Sequence, residues 1–172
     1  IAEKCELKEK ERVLERYHEI ASVHSEVRKE ALLKSSGIYL SMKGLVEDHG
    51  LDAINMKCQY EFSKEYKMVP CVPLSLIAED YVLASFEVYM LNTVSMLIMH
   101  YLTETTVTYG DIMNDSGNVV KLSTCGFLPF SMGNEGKQLI RNFMPHPGFN
   151  GIQCSFTLRP GNVTVMRLIE DK

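Results

Sequence analysis

The stretch FEVYMLNTVSMLIMHYLTETTVTYGD, from Phe86 to Asp111, holds a carboxylate near each end and only Glu104 between them. A run this apolar belongs in a bilayer or in a protein core, and the choice constrains the rest of the chain. Met90 to Leu102 contains Asn92, Thr93, Ser95 and His100, and it falls short of the roughly 20 apolar residues that a spanning helix needs. A buried helix is therefore expected, and no membrane span. Met90, Val94, Leu97 and Tyr101, flanked by Leu91, Ile98 and Leu102, recur at three- and four-residue steps, which predicts a helix over 83–102. TTVTYGDIM, NDSGN and VVKLS then read as strand, turn and strand. Glu87 falls at the start of the expected helix and Asp111 at the end of the expected strand.

Upstream, Val13, Tyr17, Ile20, His24, Val27 and Ala31 keep a helical step within a long amphipathic helix from Glu6 to about Leu45. A break is expected at Gly37, and Gly50 is placed to cap the helix that ends in LVEDHG. LDAINMKC reads as a buried strand of the parallel-sheet kind. MVPCVPLSLIAED, with Pro70 and Pro73, reads as a loop, and IQCSFTL, RPGN and VTVMRL as a second strand, turn and strand. The expected fold class is α/β: a parallel-sheet α/β segment with long helices over 1–103, then a smaller antiparallel β-rich segment over 104–172. A 45% apolar and 23% charged composition fits a packed core rather than a disordered chain.

The net charge of −4, with Lys and Arg scattered, leaves no basic stripe for nucleic acid. Cys5, Cys58, Cys71, Cys125 and Cys154 form no CxxC pair and read as reduced thiols of a cytoplasmic protein. No signal-peptide pattern is present. With Ile1 at the start and strand-like sequence almost to Lys172, the chain is expected to be part of a longer protein.

Taken singly, the carboxylates carry little. Glu87 at a helix N-terminus would serve the helix dipole as an ordinary capping acid, and Asp111 would be an ordinary turn residue. Lys57 and Gln59, at the end of the expected parallel strand, are candidates for substrate contact because ligands gather at carboxyl strand ends. Both also read as plain loop residues. NVT at Asn162 matches a glycosylation sequon but reads as a turn into a strand. There is no phosphate-binding Gly loop, nucleophile elbow or HExxH.

Glu87, the apolar helix with its following LT, and a short strand closing at Asp111 resemble the fucose and arabinose isomerase family of sugar isomerases, its fucose isomerase branch most. GLDAINMKCQYEF, GFLPFSMG and RPGNVTVMRL resemble it in the same order. The resemblance implies aldose–ketose interconversion on Mn²⁺, with Glu87 and Asp111 as metal ligands and acid–base groups, a sugar substrate and a homo-oligomer. It also implies a third ligand, a His, beyond the stretch matching GNVTVMRL; His146 and His100 are poor substitutes for it. The chain is accordingly expected to be a portion of such an isomerase and inactive when isolated. Phe86, Val88 and Tyr89 stand where the family has small or polar residues, and Tyr81 where it has a Gly. Hence the rival expectation: a non-catalytic protein-binding module or engineered scaffold using an apolar patch of Tyr81, Phe86, Val88 and Tyr89. The direction of those four side chains separates the two readings.

Overall fold

The computed structural model describes residues 2–57, 60–87, 89–144 and 148–170. Helix α1 (Leu7–Ile20) turns Val13 and Tyr17 inward, and its half-buried Arg16 pairs with Asp80 at 2.7 Å. It does not run on toward Leu45. At Ala21 the backbone becomes extended, and β1 (Ser22–Val23) pairs in parallel with Leu139 and Ile140. The helical step through His24 and Val27 is thus overridden by a strand partner far along the chain, which local periodicity does not encode.

Helix α2 (Lys29–His49) passes through Gly37 without the expected break. A Cβ at Gly37 would lie 2.6 Å from the carbonyl oxygen of Ala2, so this glycine lets the 3-10 turn Ala2–Lys4 close against the helix. Gly50, at φ 59°, ends α2 as expected, with its N–H on the carbonyl of Val46.

Strands β2 (Ala53–Met56) and β3 (Leu83–Phe86) pair in parallel, with Ala53 opposite Leu83 and Met56 opposite Phe86. The parallel-type strand expected in LDAINMKC is there. LASF, expected as the first turn of a helix, is instead β3, buried at all four positions and packed against α3 and α4. A short apolar run covered on both faces carries no period to separate strand from helix; the neighbouring strand decides. Helix α3 (Cys71–Glu79) replaces the expected loop. Pro73 is its third residue, where the missing N–H breaks no intrahelical bond, and Cys71 to Ile77 are all buried. Helix α4 (Met90–Thr103) follows β3.

Strands β4 (Asp111–Asp115) and β5 (Val120–Ser123) form an antiparallel hairpin, irregular between Ile112 and Asn114, with every residue exposed. Strands β6 (Leu139–Asn142) and β7 (Ile152–Cys154) pair antiparallel and complete a sheet of order β1-β6-β7. The hairpin expected across RPGN does not form. Residues 159–170 hold no strand and are tied down by single bonds, among them Arg159 N to Met132 O at 2.9 Å.

Tyr17, Met42, Leu74, Ile77, Phe127, Ile140 and Ile152 share one core. Ser75 stitches it: its Oγ donates to Cys71 O (3.0 Å), accepts from Leu128 N (3.0 Å) and lies 3.2 Å from Cys154 Sγ. The result is a mixed α/β fold with parallel and antiparallel sheets. Among the described residues no helix is long and apolar enough to cross a membrane.

Candidate functional site

Lys57 and Glu87 are the first residues past the paired ends of β2 and β3. The register Met56 to Phe86 sets them side by side on adjacent strands, and the Glu87 N–H donates to Met56 O at 2.9 Å. Carboxyl ends of parallel strands are where open α/β sheets gather ligands. Glu87 has φ 67°, a left-handed backbone that costs an L-residue roughly 1–2 kcal/mol. Such strain collects at functional positions. Lys57 is exposed, with its Nζ 2.9 Å from Glu61 Oε1, and hydrogen bonding to Lys57 holds the Glu61 carboxyl below its ordinary range.

Beneath this edge lies a small polar cluster. Asn55 Nδ2 donates to Thr93 Oγ1 at 2.7 Å, and Thr93 Oγ1 is 2.8 Å from Ser85 Oγ. Thr93 and Ser85 are buried. The bonds satisfy these buried hydroxyls and lock β2, β3 and α4 together under the strand ends. The polar interruptions of the apolar helix were visible in the sequence as Thr93 and Ser95, but their partners were not.

Glu87 does not open the apolar helix as expected. It occupies the turn after β3, and α4 begins at Met90. Asp111 opens β4 rather than closing a strand, because residues 104–110 are not paired as strand. Both side chains are exposed. The connection between them runs through Tyr109, whose hydroxyl accepts from Phe86 N at 3.3 Å and whose ring lies 5.1 Å from that of Phe86. Phe127 completes a triad, 5.8 Å from Phe86 and 6.0 Å from Tyr109. This aromatic clamp fixes the segment leading to Asp111 against the end of the strand that leads to Glu87. No local pattern around Tyr109 marks it for this role.

The three described residues of the expected patch, Tyr81, Phe86 and Tyr89, do not form one exposed surface. Phe86 is 5% exposed and belongs to the triad, so it is withdrawn from the patch. Tyr81 is 90% exposed at φ 62°. Tyr89 is 40% exposed, with the Arg167 guanidinium 5.6 Å from its ring centroid. Gln59, Val88 and His146 lie outside the described residues. His100 is engaged through Nδ1 with Thr105 O at 2.9 Å.

Glu87 and Asp111 offer carboxylate oxygens, the chemistry that Mn²⁺ prefers. They are two donors, and among the described residues no group of three or more His, Cys, Asp or Glu is placed to hold a metal. A cleft of about 470 Å³ between α1, β1 and the start of α2 is lined by His18, His24, Ser25 and Lys29 over an apolar floor; it contains none of the candidate residues.

The parallel strand ends thus set an exposed ammonium and an exposed carboxylate next to each other in a mixed α/β fold. No protein-family model matches the chain. It is similar to the sulfoquinovose isomerases of Priestia aryabhattai and of Priestia megaterium (strain ATCC 12872 / QMB1551), 27% identical to each over 142 residues. That alignment covers 81% of this chain and 32% of each relative, so the chain spans about a third of the length of the curated relatives it matches. The likeness is to sugar isomerases.

Proposed function

We propose that this chain contributes part of the sugar site of an aldose–ketose isomerase, with the strand edge of Lys57 and Glu87 as its centre and Asp111 as a second carboxylate. The observation that carries the reading is Glu87 held in a left-handed turn at the carboxyl end of β3, in a chain similar to sugar isomerases. In this reading the sugar is bound open-chain, and the Glu87 carboxylate takes the proton from carbon 2 and returns it to carbon 1. A proton moves between the two neighbouring oxygens, and the Lys57 ammonium stands beside the charge that develops there. Mn²⁺, when bound by Glu87 and Asp111, would supply Lewis-acid stabilisation of those oxygens. A fucose- or arabinose-type aldose, or the sulfoquinovose of the relatives, is the substrate to try first.

The reading assigns these residues sugar binding and part of the metal shell, and it expects no turnover by the 172 residues alone. Thermal melts with saturating Mn²⁺ and each sugar test it. A ligand at 100 times its Kd stabilises the native state by about 2.7 kcal/mol, a shift of several degrees. The sugar-dependent rise should vanish in Glu87→Gln and shrink in Asp111→Asn. A rise equal in both variants and wild type would sink the proposal, and so would no rise with any of the sugars.

A further inference from the structure

We infer that the outer face of α4 is a docking surface for a second copy of this chain, the two helices packing antiparallel across a twofold axis.

From Met90 to Thr103 the helix carries no Asp, Glu, Lys or Arg, yet only one side of it is covered. That side packs on β2 and β3 and buries Thr93, Ser95 and Met96. On the other side Met90, Val94, Ile98 and Leu102 are 37–74% exposed. These four follow one another at i+4, so they form a single apolar ridge along one face, and exposed Tyr101 lies beside its end. A contiguous apolar face in water marks a contact surface, and 14 residues are too few to find cover in a bilayer.

The pattern of the ridge names its cover. It reads the same from either end: unbranched-at-Cβ Met90 and Leu102 outside, β-branched Val94 and Ile98 between them. A twofold interface requires that symmetry, because it sets residue i against j and j against i. An axis at the level of position 96 sets Val94 against the partner's Ile98 and Met90 against the partner's Leu102. The short middle residues let the ridges interlock where the helices cross, and the longer ones reach across where they diverge. No charge on α4 opposes the approach of a copy. A standard dimer interface buries roughly 800 Å² on each partner. Residues beside the ridge extend it toward that size: Leu168 N on Ser95 Oγ at 2.9 Å holds a further segment against α4, with Val165 and Ile169 among its exposed apolar residues.

Sedimentation velocity of the 172-residue chain across micromolar concentrations tests this. Wild type should sediment at twice the 19.5 kDa mass of the chain. Val94→Glu and Ile98→Lys each put a charge at the middle of the interface, and each should weaken self-association about a hundredfold, as burying an unpaired charge does. Mixed in equal amounts, the two variants should recover a dimer, because the pairing sets the new carboxylate of one chain against the new ammonium of the other. Circular dichroism checks that each variant is folded. Leu102→Lys, at a more exposed position, replaces either one that is not, and it should weaken the dimer about tenfold. A wild-type chain that stays monomeric throughout overturns the inference. So does a dimer that the folded variants leave intact, since it uses another face. Folded, monomeric variants that fail to pair when mixed overturn the antiparallel packing.

Discussion

Helix α3 and the β4–β5 hairpin both carry large apolar side chains, and those side chains meet opposite fates. From Cys71 to Ile77 every residue of α3 is buried, prolines of the turn included, whereas Ile112, Met113, Val119, Val120 and Leu122 of the hairpin are 50–71% exposed. Composition contributes, since Glu79 is the one charged residue of α3 whereas the hairpin strands carry Asp111, Asp115 and Lys121, but both hold large apolar side chains. What separates those side chains is long-range contact: α3 is packed by α2, β3 and β7, while the hairpin is held chiefly by its own ladder. Isolated two-stranded hairpins are marginal in water. The two candidate carboxylates therefore stand on unequal ground, Glu87 on the rim of the packed core and Asp111 at the base of an exposed hairpin.

The largest expected effect measures that inequality. Leu74→Ala, at 0% exposure, should cost about 2–5 kcal/mol by transfer and cavity terms. Ile112→Ala, at 71% exposure, should stay within about 0.5 kcal/mol. Urea unfolding of both variants checks this. A cost for Ile112→Ala that approaches that of Leu74→Ala would show the hairpin to be packed in solution and would erase the contrast.

The same contrast explains what was legible in the sequence. The strand of LDAINMKC, the Gly50 cap and the NDSGN turn depend on neighbours a few residues away, and all three stand in the structure. The start of α4 was misplaced because LASF owes its strand form to β2, some thirty positions upstream. Pro70 and Pro73 misled because a helix's first turn tolerates what its interior does not. Of the site, Lys57 was readable as a strand-end residue, whereas Glu87 was expected to open a helix and instead follows β3. Their adjacency was not readable, since it rests on a parallel register that no short-range pattern states. Tyr109 was invisible for the same reason: it acts on a ring and a backbone atom distant in sequence.

A smaller effect comes from pH, and it too should fall on the core. Burial pushes the Cys154 thiol from 9.0 up to about 12, and the polar groups of Ser75 and Leu128 beside it offset this only in part. Burial raises Tyr17 and Tyr39 above 10.0 in the same direction. A raised pKa in the folded state means that the native protein keeps its proton after the unfolded chain has lost it. The associated stability is whole below pH 9.0 and is lost as pH climbs toward 12. Each unit in that window removes on the order of 1 kcal/mol through Cys154, and the tyrosines add to the loss only above pH 10.0. Urea midpoints should hold steady up to about pH 9 and then fall, and Cys154→Ala should flatten the slope between pH 9 and 10. A slope unchanged in that variant would mean that the thiol is not the group being titrated.

The smallest effect tests whether the rim of the core carries function at the expense of stability. Glu87 and Tyr81 share a left-handed backbone, φ 67° and 62°, at the two ends of the β3 segment. Glycine removes the steric cost of that conformation, roughly 1–2 kcal/mol, but frees the unfolded chain by about 0.4–1 kcal/mol. Glu87→Gly and Tyr81→Gly should each therefore gain roughly 0.5–1 kcal/mol. They should part company on ligand: Tyr81→Gly should keep the sugar-dependent rise in melting temperature and Glu87→Gly should lose it. Stabilisation with loss of binding at one position, and stabilisation alone at the other, is what strain retained for function looks like. If Glu87→Gly is destabilised, contacts of the Glu87 side chain outweigh its backbone strain, and the argument from φ fails. If the variant is stabilised and still responds to sugar, the strain at Glu87 is a matter of turn geometry alone, and the site must be sought on the hairpin side of the aromatic clamp.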